Sequence, residues 1–181
     1  VARLVGSEMC IRDSLYTFSK KFAMTGWRLG ASIGPREILD VIAKLNVNDE
    51  SCSNHFVQYG GLAGLEGDQT EVAAILAELE ARRDAAGAGL NAIEGISSII
   101  PNATFYLFPN VTEVMERKSL ADYEDFRRAA LHATGASFTT RLHFGRTHGH
   151  EDNKYVRFAY SGISVDDIEE SMALFKDWCE A

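Results

Sequence analysis

The stretch from Leu15 to Gly34 constrains the fold more than any other part of the chain. Between Leu15 and Ser19, the apolar Tyr16 and Phe18 alternate with the hydroxyls of Thr17 and Ser19, the period-2 pattern of a strand. Lys20 comes where that strand runs out, Gly26 marks a short turn, and Arg28 opens a second strand-like run, Trp27 to Gly34. Two hydroxyls, an amine and a guanidinium therefore gather at neighbouring strand ends. In an open α/β sheet that is the usual place for a ligand.

The residue types suit a specific chemistry. A phosphate favours a planar guanidinium fork with hydroxyl donors beside it. A primary amine with cationic neighbours such as Arg28 and Lys21 is favoured in the neutral, nucleophilic form that an imine requires. A Lys-Lys pair at a strand end can equally be a solvated surface pair. The run SKKFAMTGWRLG has a Ser-Lys pair, a glycine and an arginine eight residues after the lysine. It resembles the lysine segment of class I/II pyridoxal-phosphate-dependent aminotransferases, the aspartate aminotransferase fold. The resemblance implies that Lys20, not Lys21, is the Schiff-base lysine of pyridoxal 5′-phosphate. It also implies that Thr17, Ser19 and Arg28 hold the cofactor phosphate.

A second anchor lies in Tyr155-Val156-Arg157-Phe158-Ala159-Tyr160, an apolar strand with one arginine inside it. Burying a guanidinium without a partner is costly, so Arg157 is expected to meet an anion. The run resembles the small-domain strand of the same family, whose arginine clamps the substrate α-carboxylate. That resemblance carries the substrate-binding role onto Arg157. Without Lys20 and Arg28, an edge-strand arginine with its head in water would be the simpler reading.

The fold class implied is α/β. Residues 15–86 resemble the C-terminal part of a large PLP-binding domain with a mostly parallel three-layer α/β/α sheet. Residues 87–181 resemble a small α+β domain, and together they correspond to about the C-terminal half of such an enzyme. Residues 1–14 match nothing that precedes the lysine strand in the family and read as a non-native segment, translated from adapter sequence. Groups that face the cofactor ring in relatives precede the lysine strand, so this chain alone is expected to be poorly active.

Helical spacing of Ile38, Leu39, Val41, Ile42 and Leu45 after Pro35 predicts a helix over 35–45. Ser53-Asn54-His55 resembles the family's Ser-Asn-Pro turn, with His55 for the proline. Asp49 stands four residues before Ser53, where dicarboxylate-specific relatives of one subgroup have arginine. Residues 54–66 read as a helix, and Asp68 caps a long one that Gly87 and Gly89 should weaken or bend. Strands are expected at Ile96–Ile100, Phe105–Phe108, Ala136–Phe144 and Lys154–Tyr160. Ser119 and Asp122 give a capping signal for a helix through His132. Ser164 caps a last helix whose Ile168, Met172, Phe175 and Trp178 face the core. His143, His148, His150 and Asp152 could be metal ligands, but their spacing matches no zinc pattern, so a polar loop without metal is the expectation.

Composition narrows the function class. The net charge of −8 gives no footprint for nucleic acid. No apolar run approaches a spanning helix, and three scattered cysteines suggest a reduced, cytoplasmic setting rather than a disulfide framework. The family resemblance implies amino-group transfer between an amino acid, possibly aspartate-like, and a 2-oxo acid, by a homodimer with shared active sites. A carbon–sulfur lyase of the same fold, or an effector-binding module of a transcription regulator, remains the alternative.

Overall fold

The computed structural model describes residues 14–146 and 149–181, which divide into two compact units, one reaching to Ala74 and the other running from Ile75 to Ala181. The division falls within a single helix that also carries Gly87, where the sequence places the domain boundary.

In the first unit, β1 (Ser14–Thr17) pairs antiparallel with β2 (Gly30–Ile33), Thr17 lying opposite Gly30. The expected first strand ends two residues early, because the Thr17 hydroxyl accepts the Ser19 amide at 3.2 Å and caps a short helix, α1 (Phe18–Lys21). The second expected strand starts late. Thr25–Trp27 form a 3-10 turn, and Arg28 ends it in the left-handed region at φ 54°. Two helices follow, α2 (Arg36–Asp49) and α3 (His55–Glu66), the latter capped by the Asn54 side chain accepting from the Phe56 amide. The α3 glycines let it lie close under the lysine turn. A Cβ on Gly61 would sit 2.5 Å from Leu29 Cδ2, and one on Gly64 would sit 3.2 Å from Phe22. Phe18, Met24 and Val57 form the small core of this unit, backed by Tyr16, Phe22 and Leu29. Of the mostly parallel sheet implied by the resemblance, the described residues of this unit contain one antiparallel pair.

α4 (Thr70–Asn91) leads into the second unit, its first turn tied down by Asp68, whose Oδ1 accepts from the Thr70 amide and hydroxyl. The helix runs through Gly87 and Gly89 without interruption. Their lack of a side chain serves close packing: a Cβ would come 2.1 Å from Ile100 Cδ1 at Gly87 and 2.6 Å from Met172 Cγ at Gly89. The sheet of this unit is β3 (Tyr106–Leu107), β5 (Val156–Ala159) and β4 (Thr139–Thr140), antiparallel with β5 central. Three helices join it: α5 (Thr112–Arg117), α6 (Tyr123–Thr134) and α7 (Val165–Glu180). The core interleaves Leu90, Val156 and Cys179 with rings from Phe126, Phe138, Phe158 and Phe175, each ring within 6.2 Å of another. As expected, Ser164 caps α7, burying Ile168 and Phe175 and packing Met172 and Trp178 against the core.

Several expected elements differ. Ile96–Ile100 is not a strand, apart from one bridge between Ser97 and Asn110. The Asn91 side chain grips both the amide and the carbonyl of Ser98, at 2.7 and 3.0 Å, and takes the groups a ladder would need. Only Thr139–Thr140 is extended within 136–144, because Thr140 caps a 3-10 turn, Arg141–Phe144. Asp122, not Ser119, caps α6, accepting from the Glu124 and Asp125 amides, while Gly135 ends that helix at φ 75°. α5 escapes sequence reading because its start is held by Asn110, whose Oδ1 accepts from the Thr112 amide and hydroxyl.

Candidate active site

The lysine turn is organised by hydroxyls. The Arg28 Nη1 donates to the Thr25 carbonyl at 3.2 Å, the Thr25 hydroxyl donates to the Ser19 carbonyl at 3.2 Å, and the Thr17 hydroxyl donates to the Ser19 hydroxyl at 3.0 Å. This relay draws Thr17, Ser19 and Arg28 together around α1, and α1 carries Lys20 on its exposed side. The β1–β2 pairing completes the frame, since it sets Thr17 across from Gly30 while Arg28 lies just before Gly30. Four groups singled out in the sequence thus share one local structure. Thr25 is a fifth member that sequence reading missed; its only signal was a hydroxyl inside the loop between Lys20 and Arg28.

Lys20 and Lys21 are both exposed. The Lys21 ammonium lies 4.9 Å from the centre of the Phe22 ring, a cation–π position directed at the protein. Arg28 is exposed and also lines an open cleft of about 1070 Å³ with Trp27, Ser53, Asn54 and Phe56. The Ser-Asn turn noted in the sequence therefore shares a cleft with Arg28, whereas Thr17, Ser19 and Lys20 are not among its lining residues.

The donor set fits a phosphate-bearing aldehyde cofactor. Paired hydroxyls and a guanidinium with an exposed edge can receive a phosphate, and an exposed primary amine in the same turn can reach an aldehyde.

Arg157 belongs to the second unit. It projects from β5 with Thr139 of β4 as its cross-strand partner. Of the two anions expected for it, a protein carboxylate or a ligand, no carboxylate pairs with it among the described residues. Two rings approach the guanidinium instead, Tyr106 at 4.2 Å and Phe144 at 4.7 Å from its carbon. Its Nε is buried without a hydrogen-bond partner, and so is the Thr139 hydroxyl opposite. Arg157 and Thr139 line a cleft of about 480 Å³ with Glu124, Arg127 and His143. There the Arg127 hydrogen bond holds the Glu124 carboxyl down at about 2, and Arg128 adds to the effect.

Of the histidine-rich stretch, His143 serves the local fold. His143 Nδ1 lies 3.2 Å from the Thr140 amide and 3.0 Å from its hydroxyl, which fixes the 3-10 turn. His148 lies outside the described residues. Among the described residues no three His, Cys, Asp or Glu side chains converge as metal ligands. Cys52 and Cys179 are free thiols; burial pushes the Cys179 thiol up to about 12, which makes it unreactive. No helix of the described residues is long and apolar enough to cross a membrane.

Comparison with known proteins shows the family. The family model for aminotransferase class I and II matches residues 12–171. An asparagine–oxo-acid transaminase of Streptococcus mutans is 33% identical over 127 residues, covering 70% of this chain and 32% of the relative. An aspartate aminotransferase of Musicola paradisiaca is 30% identical over 161 residues, covering 86% of this chain and 38% of the relative. The crystal structure of the aspartate aminotransferase from Rhizobium meliloti superposes with a TM-score of 0.76 at 26% identity, covering 93% of this chain and 42% of that one. The chain thus spans about 40% of the length of the proteins it matches. By its lysine segment, its fold and its match over most of its length, the chain belongs to the aminotransferase class I and II family of pyridoxal-phosphate-dependent enzymes.

Proposed function

We propose that this chain carries the lysine, phosphate-binding and carboxylate-binding residues of a transaminase that moves an amino group between an amino acid and a 2-oxo acid. The observation that carries the reading is the relay from Arg28 through Thr25 and Ser19 to Thr17 around the exposed Lys20. Lys20 holds pyridoxal 5′-phosphate covalently through Nζ. Arg28, with the Thr17 and Ser19 hydroxyls, holds the phosphate. The cofactor, when bound, supplies an electron sink. Displaced by the substrate amine, the Lys20 amine would take the proton from the substrate Cα and deliver it to the former aldehyde carbon of the cofactor. Arg157 orients the substrate through its α-carboxylate.

The relatives named for aspartate and asparagine favour a small dicarboxylic or amide amino acid as donor. Asp49, standing where one dicarboxylate subgroup has arginine, means that a second carboxylate would be read by a different group. The domain division near residue 87, a homodimer with shared active sites and a cytoplasmic location complete the proposal. The family match and the free thiols of Cys52 and Cys179 support the last two.

The test uses the full-length protein loaded with cofactor, isotope-labelled aspartate and 2-oxoglutarate. Label in glutamate is the expected result. Release of labelled ammonia with no labelled glutamate would reject transfer in favour of elimination chemistry.

A further inference from the structure

We infer that Tyr106 and Phe144 are positioning residues that hold the Arg157 guanidinium in a fixed plane, ready for the substrate carboxylate. The inference rests on the carboxylate role proposed for Arg157. A guanidinium that grips a carboxylate by two parallel N–H···O bonds must be oriented before the carboxylate arrives, or its rotamer freedom is lost on binding. Proteins commonly fix such a group with an Asp or Glu. That solution would neutralise the charge and occupy donors the substrate needs.

The second unit uses rings instead. The guanidinium carbon lies 4.2 Å from the Tyr106 centroid and 4.7 Å from the Phe144 centroid, distances at which the π faces attract the cation without taking its N–H donors. The two rings come from separate segments, β3 and the 3-10 turn after β4. The Nε atom is buried and makes no hydrogen bond among the described residues, so no acceptor there fixes the plane from that edge.

Each ring is itself braced. Tyr106 packs on Phe105 at 4.5 Å between centroids, and Phe144 meets the edge of Phe108 at 6.0 Å. Phe108 in turn stacks on Tyr155 at 5.4 Å with the planes 5° apart. The Thr140–His143 capping box holds the turn that delivers Phe144. These contacts give the His143 imidazole a structural role: it secures the turn on which the clamp depends.

The experiment measures kcat and KM for amino donor in the full-length holoenzyme. Phe144→Leu and Tyr106→Leu should each raise KM about tenfold with kcat held within about twofold, the pattern of lost uniform binding. Cofactor content should not change. Phe144→Tyr and Tyr106→Phe keep a ring and should return KM to the wild-type value. Leucine variants with wild-type KM, beside an Arg157→Ala variant with a raised one, would overturn the clamp and leave the carboxylate reading standing. A wild-type KM in Arg157→Ala would instead remove the carboxylate reading itself. Leucine variants that lose kcat and cofactor together with KM would assign the rings to folding and overturn the clamp.

Discussion

The two units solve the burial problem very differently. From Ile75 onward, the described residues close a core of eighteen buried side chains, with Phe126, Phe175 and Val156 sealed from water. Up to Ala74 the core among the described residues is Phe18, Met24 and Val57. The apolar stripe of α2 is left open there, with Leu45 at 64% exposure, and Phe56 on α3 is equally exposed. Amphipathic pattern and burial have therefore separated. α2 has the spacing of a helix that packs on something, yet none of its residues is buried within the described chain. The lesson concerns where the chemistry sits. Lys20 and Arg28 are held by local hydrogen bonds and a tight glycine-lined helix contact, whereas Arg157 is held by a finished aromatic core beneath its strand.

The largest expected effect breaks the well-packed side of the contrast. Phe175→Ala removes a fully buried ring and should cost about 3–5 kcal/mol, read from urea unfolding of a Trp27→Phe background in which Trp178 alone reports. Next comes the glycine contact of the first unit. Gly61→Val places a branched side chain where even a Cβ meets Leu29 at 2.5 Å and Phe18 at 3.3 Å. It should cost about 1–3 kcal/mol, followed through Trp27 in a Trp178→Phe background. Asp122→Ala strips the cap from α6 and should cost about 1 kcal/mol in the second unit. Leu45→Ala should change stability by less than about 0.5 kcal/mol, because the side chain is already in water. A large loss there in the 181-residue chain would show that the α2 stripe is covered and would dissolve the contrast.

The smallest effect concerns pH. The Glu124 carboxyl, held down chiefly by the Arg127 hydrogen bond, sits at about 2 in the folded chain against an ordinary 4.5. A depressed carboxyl stabilises the fold above its unfolded value, and the contribution is lost as pH falls from about 4.5 through about 2. Thermal melts of wild type and Glu124→Gln should therefore differ at neutral pH and converge at the acid end of that window. The difference is small, because the pair is exposed and screened.

The long helices and the places of the strands were legible in the sequence, whereas the lengths of the strands and the short helices were not. The period of Ile38, Val41 and Leu45 predicts α2 to within a turn, and Asn54, Asp68 and Ser164 mark helix starts through side chains that bond their own backbone. The sheet strands of the second unit are short, and what ends them is a side-chain grip rather than a loss of pattern. Asn91 on Ser98 and Thr140 with His143 are contacts that hydrophobic alternation does not reveal. At the site, Lys20, Thr17, Ser19 and Arg28 could be read because they lie in one local run. Thr25 was missed because its role depends on the 3-10 turn and not on its residue type. The surroundings of Arg157 were hidden because Tyr106 and Phe144 are far from it in the chain and meet it only through the sheet.

The central claim is that Lys20, and not its neighbour Lys21, bears the cofactor. Borohydride reduction of the full-length protein with pyridoxal 5′-phosphate, followed by peptide mass spectrometry, tests it directly. The account predicts a stable pyridoxyl adduct on Lys20, absent from Lys20→Ala and weakened in Arg28→Ala. An adduct found on Lys21 instead, or retained unchanged elsewhere in Lys20→Ala, would contradict it.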